Sequence, residues 1–280
     1  MDIGIGLPNT LDHPGPLLTG WAQRAEQRGF TSLATIDRIF YPSYDTMTSL
    51  STAAGATSRI GLLSGVLLAP VYPPVWLAKA AASLDAISGG RLTLGLGVGG
   101  REDDFVAMGR SLHERGRDMD RALHVMRTVF TGEKLGDDTF PVARHGHPKL
   151  LIGGNSDAAV RRTITYGQGW IGGGGTPGQV APMLERIRRE WHAAGRDGQP
   201  RFAALAYFGL SDEEASKQSL RTYYGFTGDL ANMIADGALR TPQAVQDAVK
   251  AFEEIGLDEL IFDPSVPDIA EVDRLADAVL

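Results

Sequence analysis

Eight short apolar runs, each followed by a stretch with helical spacing, narrow the folds open to this chain more than any other feature. The runs cover residues 3–7, 32–36, 60–68, 91–98, 148–152, 169–171, 202–208 and 259–262. Runs two to eight are apolar or glycine-rich rather than strictly alternating, as strands buried on both faces are. Helices are expected over residues 17–28, 45–57, 74–87, 114–130, 157–166, 178–194, 241–255 and 266–279, with one or two more within 211–238. The punctuation agrees. Gly29 stands where the first helix should end, Pro74 opens the third, and Thr241-Pro242 supplies a cap and first turn. Parallel strands joined by helices make either an open doubly wound sheet or a closed barrel. Eight units in 280 residues favour the α/β class with a (β/α)8 TIM barrel as one domain over residues 1–280. Residues 131–147 form the longest segment without periodicity and are expected to be a loop or short excursion.

Composition removes several functions. A net charge of −7 and a pI near 5.4 argue against a nucleic-acid surface, which needs a basic face, and against a basic membrane anchor. The chain has no cysteine, so disulfides, thiolate catalysis and cysteine-ligated metals are excluded. Residues 1–7 carry no basic cluster, unlike a signal peptide. No run approaches the roughly 18 uncharged apolar residues of a membrane helix. The expectation is a cytoplasmic protein with neither nucleic acid nor membrane as partner.

In a barrel, ligands sit where the strands end, on the βα loops. Asp37, Arg38, Tyr41 and Tyr44 follow the second run and Tyr72 the third. Gly97, Val98 and Gly99 follow the fourth, Gly153, Gly154 and Asn155 the fifth, and Gly173, Gly174 and Thr176 the sixth. Glycines at three successive strand ends let backbone approach a ligand, and amides opening a helix can hold an anion. Simpler readings stand beside these. Ser156 would cap a helix, Asp37 and Arg38 could form salt bridges, and each tyrosine, including Tyr223 and Tyr224, could be packing. The string Gly95 to Gly100 has the spacing of a dinucleotide fingerprint but lies largely inside a strand. His145 and His147 lack a third metal ligand nearby, so no metal site is expected. Met119, Met126 and Phe130 read as core.

Several segments together resemble the luciferase-like monooxygenases and coenzyme F420-dependent oxidoreductases. They are residues 57–70, residues 74–99 with the Ser88-Gly89-Gly90-Arg91 segment, and residues 151–156 with Tyr166-Gly167 and Gly169-Trp170. The resemblance is close over residues 1–175 and looser beyond. It implies a barrel holding FMN or F420 in its mouth, often as a homodimer. By that resemblance Ser64, Gly65 and Val66 would lie under the cofactor ring, with a cis bond at Gly65–Val66. Gly97 to Gly99 would line the ring edge. Gly153, Gly154 and Asn155, with the 172–176 loop, would hold the phosphate. Where many members carry histidine after the second strand, this chain has Arg38, and Pro73 replaces another histidine. Arg38 suits stabilising negative charge rather than moving protons. Asp37 and Arg38 are therefore the catalytic candidates, and Tyr41, Tyr44, Tyr72 and Tyr224 the substrate-binding ones. The resemblance implies a flavin-dependent oxidoreductase acting on a small organic substrate, with a separate flavin or F420 reductase as a partner. FMN is favoured over F420, because only Arg101, Arg161 and Arg162 offer a basic track. A non-catalytic flavin-binding barrel remains a distinct reading. So does a hydrolase or isomerase using Asp37, Glu102 and Asp103.

Overall fold

The computed structural model describes residues 1–136, 141–143 and 145–280. The strands are β1 (Asp2–Gly6), β2 (Ser32–Thr35), β3 (Gly61–Leu68), β4 (Leu92–Gly97), β5 (Lys149–Gly153), β6 (Gly169–Gly172), β7 (Arg201–Phe208) and β8 (Glu259–Pro264). Each pairs with the next in parallel, and β8 pairs back onto β1, so the sheet closes as a (β/α)8 barrel. The helices are α1 (Pro16–Arg28), α2 (Thr46–Ala56), α3 (Pro74–Ser88), α4 (Glu102–Ala107), α5 (Arg115–Phe130), α6 (Asp157–Tyr166), α7 (Pro177–Ala193), α8 (Glu213–Tyr224), α9 (Leu230–Asp236), α10 (Pro242–Glu254) and α11 (Ala270–Val279).

All eight strands stand within a residue or two of the expected runs. The expected caps are present too. Gly29 closes α1 at φ 93°, the Ser156 hydroxyl accepts the Ala159 N–H, and Thr241 accepts that of Ala244. Residues 211–238 resolve into α8 and α9, joined by a 3₁₀ turn at Gly225–Thr227. One helix was not anticipated. α4 has six residues, too few to display a 3.6-residue period, and it carries three consecutive acids. Of the stretch expected to be a loop, Thr131 to Gly136 contains neither helix nor strand. Part of the remainder, 137–140 and 144, lies outside the described residues.

Two apolar layers hold the barrel. Ala34, Leu63, Leu151, Ile171, Ala203 and Ile261 fill its interior. A larger layer, including Trp21, Leu77, Leu94, Met119, Met126 and Phe262, lies between strands and helices. Each large side chain so buried contributes about 1.5–3 kcal/mol. Both faces of every strand are thus covered, which explains the continuous apolar runs. Opposite the mouth, Ser32 donates to Glu259, and Arg201 bridges Glu259 and Asp2 at 2.9 and 2.8 Å.

Glu26 joins α1 to the start of β3. Its carboxylate accepts the backbone N–H groups of Ser58, Arg59 and Ile60 at 2.7–3.2 Å. Burial opposes its ionisation, but these donors outweigh burial and lower its pKa from 4.5 to about 2. A lowered folded-state value contributes stability above about pH 4.5 that is lost as the pH falls towards 2. Glu26→Gln should therefore lower the melting temperature at pH 7 and narrow the difference between variant and parent near pH 3. A constant difference from pH 7 to pH 3 would show that the carboxylate's charge is not what matters there.

Candidate active site at the mouth of the barrel

At the C-terminal ends of the strands lies a cavity of about 260 Å³. Its walls include Asp37 and Arg38 after β2, Gly65 and Val66 within β3, Gly173 and Gly174 after β6, and Tyr207 on β7. Gly100, Arg101 and Asp104 close one side, and Tyr223, Tyr224 and Phe226 cover it from the α8 segment.

Arg38 is the central charge. Its side chain is 4% exposed, and Nε donates to Asp104 at 2.9 Å. Nη2 donates to Asp103 and to the Phe40 carbonyl, each at 3.2 Å. Nη1 is buried and has no hydrogen-bond partner among the described residues. Leaving a charged donor unmatched costs free energy that a ligand can recover. Asp104 also accepts the N–H groups of Ile39 and Phe40 at 2.9 and 2.8 Å, which fixes the β2–α2 loop against α4. The salt-bridge reading of Arg38 is thus realised, with Asp104 and Asp103 as partners and not Asp37.

Asp37 is 3% exposed. It accepts the Leu68 N–H at 2.9 Å and the Tyr72 hydroxyl at 3.1 Å. Burial raises its pKa from 3.8 to about 6, against the opposing pull of those two donors. Tyr72 is buried beneath Asp37 and does not wall the cavity. Burial, and then the charge of Asp37, push its own hydroxyl pKa far upward.

The aromatic cover is tightly interlocked. The Tyr207 and Tyr224 hydroxyls are hydrogen-bonded to each other. The Tyr223 and Tyr224 rings meet edge to face at 4.9 Å. Arg101 donates to the Tyr223 carbonyl at 2.8 Å, and its guanidinium lies 3.7 Å from the Phe226 ring centre. Such contacts hold the α8 segment over the mouth.

The other anticipated residues divide. The peptide bond between Gly65 and Val66 is cis, at the position the resemblance indicated. Val66 points across the barrel top. A Cβ on Gly97 would lie 2.5 Å from Val66 Cγ2, and one on Gly153 would lie 3.2 Å from Cγ1. These two glycines make room for Val66 and do not line the cavity. Ser64 is buried with its hydroxyl on the Gly95 carbonyl, and Gly99 packs against Phe105 and Leu68. Val98 packs on the outer core. Gly154, at φ 105°, and Asn155 are exposed in the β5–α6 turn, where the Gly154 carbonyl accepts Trp170 Nε1 at 2.8 Å. Thr176 caps α7 on the exposed loop after Gly174. Tyr44 hydrogen-bonds the His13 carbonyl and stays outside the cavity, while Tyr41 lines a neighbouring one.

Sequence reasoning overlooked Tyr207, Leu205, Asp104 and Asp263. Tyr207 and Leu205 sit inside a run that reads as plain strand. Asp104 is the third of three consecutive acids, a pattern usually solvated. Asp263 did carry a signal, being a charged residue directly after an apolar barrel strand.

In a closed parallel barrel the strand ends are where small molecules are bound, and the charged, aromatic-walled cavity lies there. The sequence matches the luciferase-like monooxygenase family over residues 16–261, and the chain belongs to that family. An uncharacterized protein of Mycobacterium tuberculosis is 28% identical over 209 residues, covering 62% of this chain and 71% of the relative. An F420-dependent secondary alcohol dehydrogenase, solved with an F420–acetone adduct, superposes with a TM-score of 0.79 at 20% identity, covering 99% of this chain and 98% of that one. The oxygenating constituent of 3,6-diketocamphane monooxygenase from Pseudomonas putida, solved with FMN, gives 0.75 at 16% identity, covering 99% and 96%. At these identities the two solved structures speak to the fold alone.

Removing the Tyr72 hydroxyl takes away one of the donors that favour ionised Asp37. In Tyr72→Phe the Asp37 carboxyl should titrate above its present value of about 6. NMR titration of the carboxyl carbon checks this, and an unchanged or lowered midpoint would detach Tyr72 from Asp37.

Proposed function

We propose that this chain is an oxidoreductase that binds a flavin-type cofactor at the barrel mouth, with FMN the first candidate, and acts on a small organic substrate as a monooxygenase. The observation that carries the reading is Arg38 Nη1, without a hydrogen-bond partner among the described residues and buried in the wall of a cavity whose far side is formed by Gly173 and Gly174. A Cβ on Gly173 would meet nothing within 4 Å, so the wall there is open backbone that a flat ring can approach. Val66 would support the ring, and Arg38 would steady negative charge on it. The exposed turn at Gly154 and Asn155, which opens α6, and the loop from Gly173 to Thr176 would hold the phosphate by backbone N–H groups. Bound FMN, when reduced, would supply the electrons and activate dioxygen. Tyr223, Tyr224 and Phe226 would exclude water, and Asp37, poised near neutrality, would hold or release a proton.

The reduced flavin would come from a separate reductase. The likeness to the F420-dependent alcohol dehydrogenase supports a second reading, hydride transfer with F420 and no oxygen. We also propose a homodimer formed through α2 and α3, where Val75, Trp76 and Ile87 are exposed beside a groove that includes Met47 and Leu84.

Titrating the purified chain with FMN and with F420, followed by fluorescence, separates the readings. Saturable FMN binding near one per chain is expected, and Gly173→Val should weaken it about tenfold, about 1.4 kcal/mol, without lowering the melting temperature. Binding of F420 alone would transfer the proposal to hydride chemistry. Binding of neither would end it. Binding without turnover, with reductant and oxygen supplied, would mark a flavin-storage protein. For the assembly, Trp76→Asp should convert the expected dimer to monomer in analytical ultracentrifugation. A parent that already sediments as a monomer would remove that part of the proposal.

A further inference from the structure

A second cavity, about 190 Å³, lies behind the first and shares Ile36, Tyr207 and Tyr223 with it. Its contents are different. The first contains Arg38 and Arg101 beside Asp37 and Asp104, whereas the second is lined by Asp12 and Asp263 and by no lysine, arginine or histidine. Asp263 ends β8 beside Tyr207 of β7, its register partner, and is 2% exposed. Its Oδ1 has no hydrogen-bond partner among the described residues. The chain makes space for this carboxyl: a Cβ on Gly6 would lie 2.1 Å from that oxygen. Among the described residues, one oxygen of the buried acid in this wall is therefore unmatched. Three tyrosines, Tyr41, Tyr207 and Tyr223, line the same space, with the Tyr41 and Tyr223 rings 5.1 Å apart and edge to face.

We propose that this second cavity is a binding site for a small organic ammonium, with the N–H groups donating to Asp263 and the hydrocarbon part held against Tyr41, Tyr207 and Tyr223. A buried carboxyl needs donors, tyrosine faces attract cations, and no basic residue lines this cavity to receive an anion. Exposed Asp12 on the β1–α1 loop adds to the attraction at the rim. Without a ligand, burial alone pushes the Asp263 carboxyl well above the carboxylate range. An arriving ammonium favours the ionised form, so any proton on the carboxyl passes to solvent and an ion pair remains. The other titratable groups around it are Asp12, Tyr41, Tyr207 and Tyr223, with the Arg38 guanidinium 5.1 Å from the Tyr41 ring centre and 5.6 Å from that of Tyr223, and that of Arg101 4.6 Å from Tyr223.

The inference stands on the second cavity and not on the redox reading. Binding to the full-length chain, measured by calorimetry without turnover, tests it separately from the FMN titration. Benzylamine is the probe, with benzyl alcohol and benzoate as neutral and anionic counterparts of similar shape. Benzylamine should bind at least tenfold more tightly than either. Asp263→Asn should abolish that preference while leaving FMN affinity and melting temperature within error or slightly raised, because a desolvated acid is replaced by a neutral isostere. Equal binding of amine and alcohol by the parent chain would overturn the proposal, whatever the variant does. So would a preference that survives Asp263→Asn.

Discussion

Closure of the sheet governs everything else in this molecule. Once β8 pairs with β1, every strand has both edges bonded and both faces covered, and side chains have only two ends of the barrel left for polar work. One end is tied off by ion pairs around Glu259 and Arg201. The other receives the loops that follow each strand, so residues far apart in sequence meet there. Arg38 and Asp104 are 66 positions apart, yet they form a buried pair. Such a pair is held by geometry and by extra donors more than by net attraction, since desolvation of both ions offsets much of the Coulomb gain. Asp104 has those donors in the N–H groups of Ile39 and Phe40.

Around that pair the mouth is organised by how each carboxylate is satisfied. Asp104 is matched by a guanidinium and two amides. Asp37 is matched by one amide and one phenol and titrates near neutrality. Asp263 has an oxygen with nothing to accept from among the described residues. The same residue type thus provides an anchor, a group able to exchange a proton at physiological pH, and an unfilled acceptor, each set by donors and solvent and not by residue identity.

The barrel was legible because its signals are repeated. Eight buried runs, with Gly29, Ser156 and Thr241-Pro242 at the helix ends, all point to one topology, and an error at any single run would not have changed it. The mouth was legible only in part. Asp37, Arg38, Gly65, Val66, Gly173, Gly174 and Tyr224 do meet around one cavity. Gly97 and Gly153 looked like bare backbone awaiting a ligand, but the space in front of them is taken by Val66 of β3. Sequence records that a side chain is missing and not what occupies the space it leaves. Tyr44 and Tyr72 were read as walls because tyrosine suits a wall. Each instead uses its hydroxyl internally, on the His13 carbonyl and on Asp37. Tyr207 was invisible for the opposite reason: inside a strand, its facing depends on barrel register, which no local pattern specifies.

Tyr207 and Tyr223 form a party wall between two chambers, one lined by charges of both signs and the other by acids alone. Neither chamber can be enlarged from that side without enlarging its neighbour, so substitutions here change two selectivities together. A designer wishing to alter what one room admits would do better to work from its outer boundary, at Thr10 or Leu11 for one and Gly100 or Phe226 for the other.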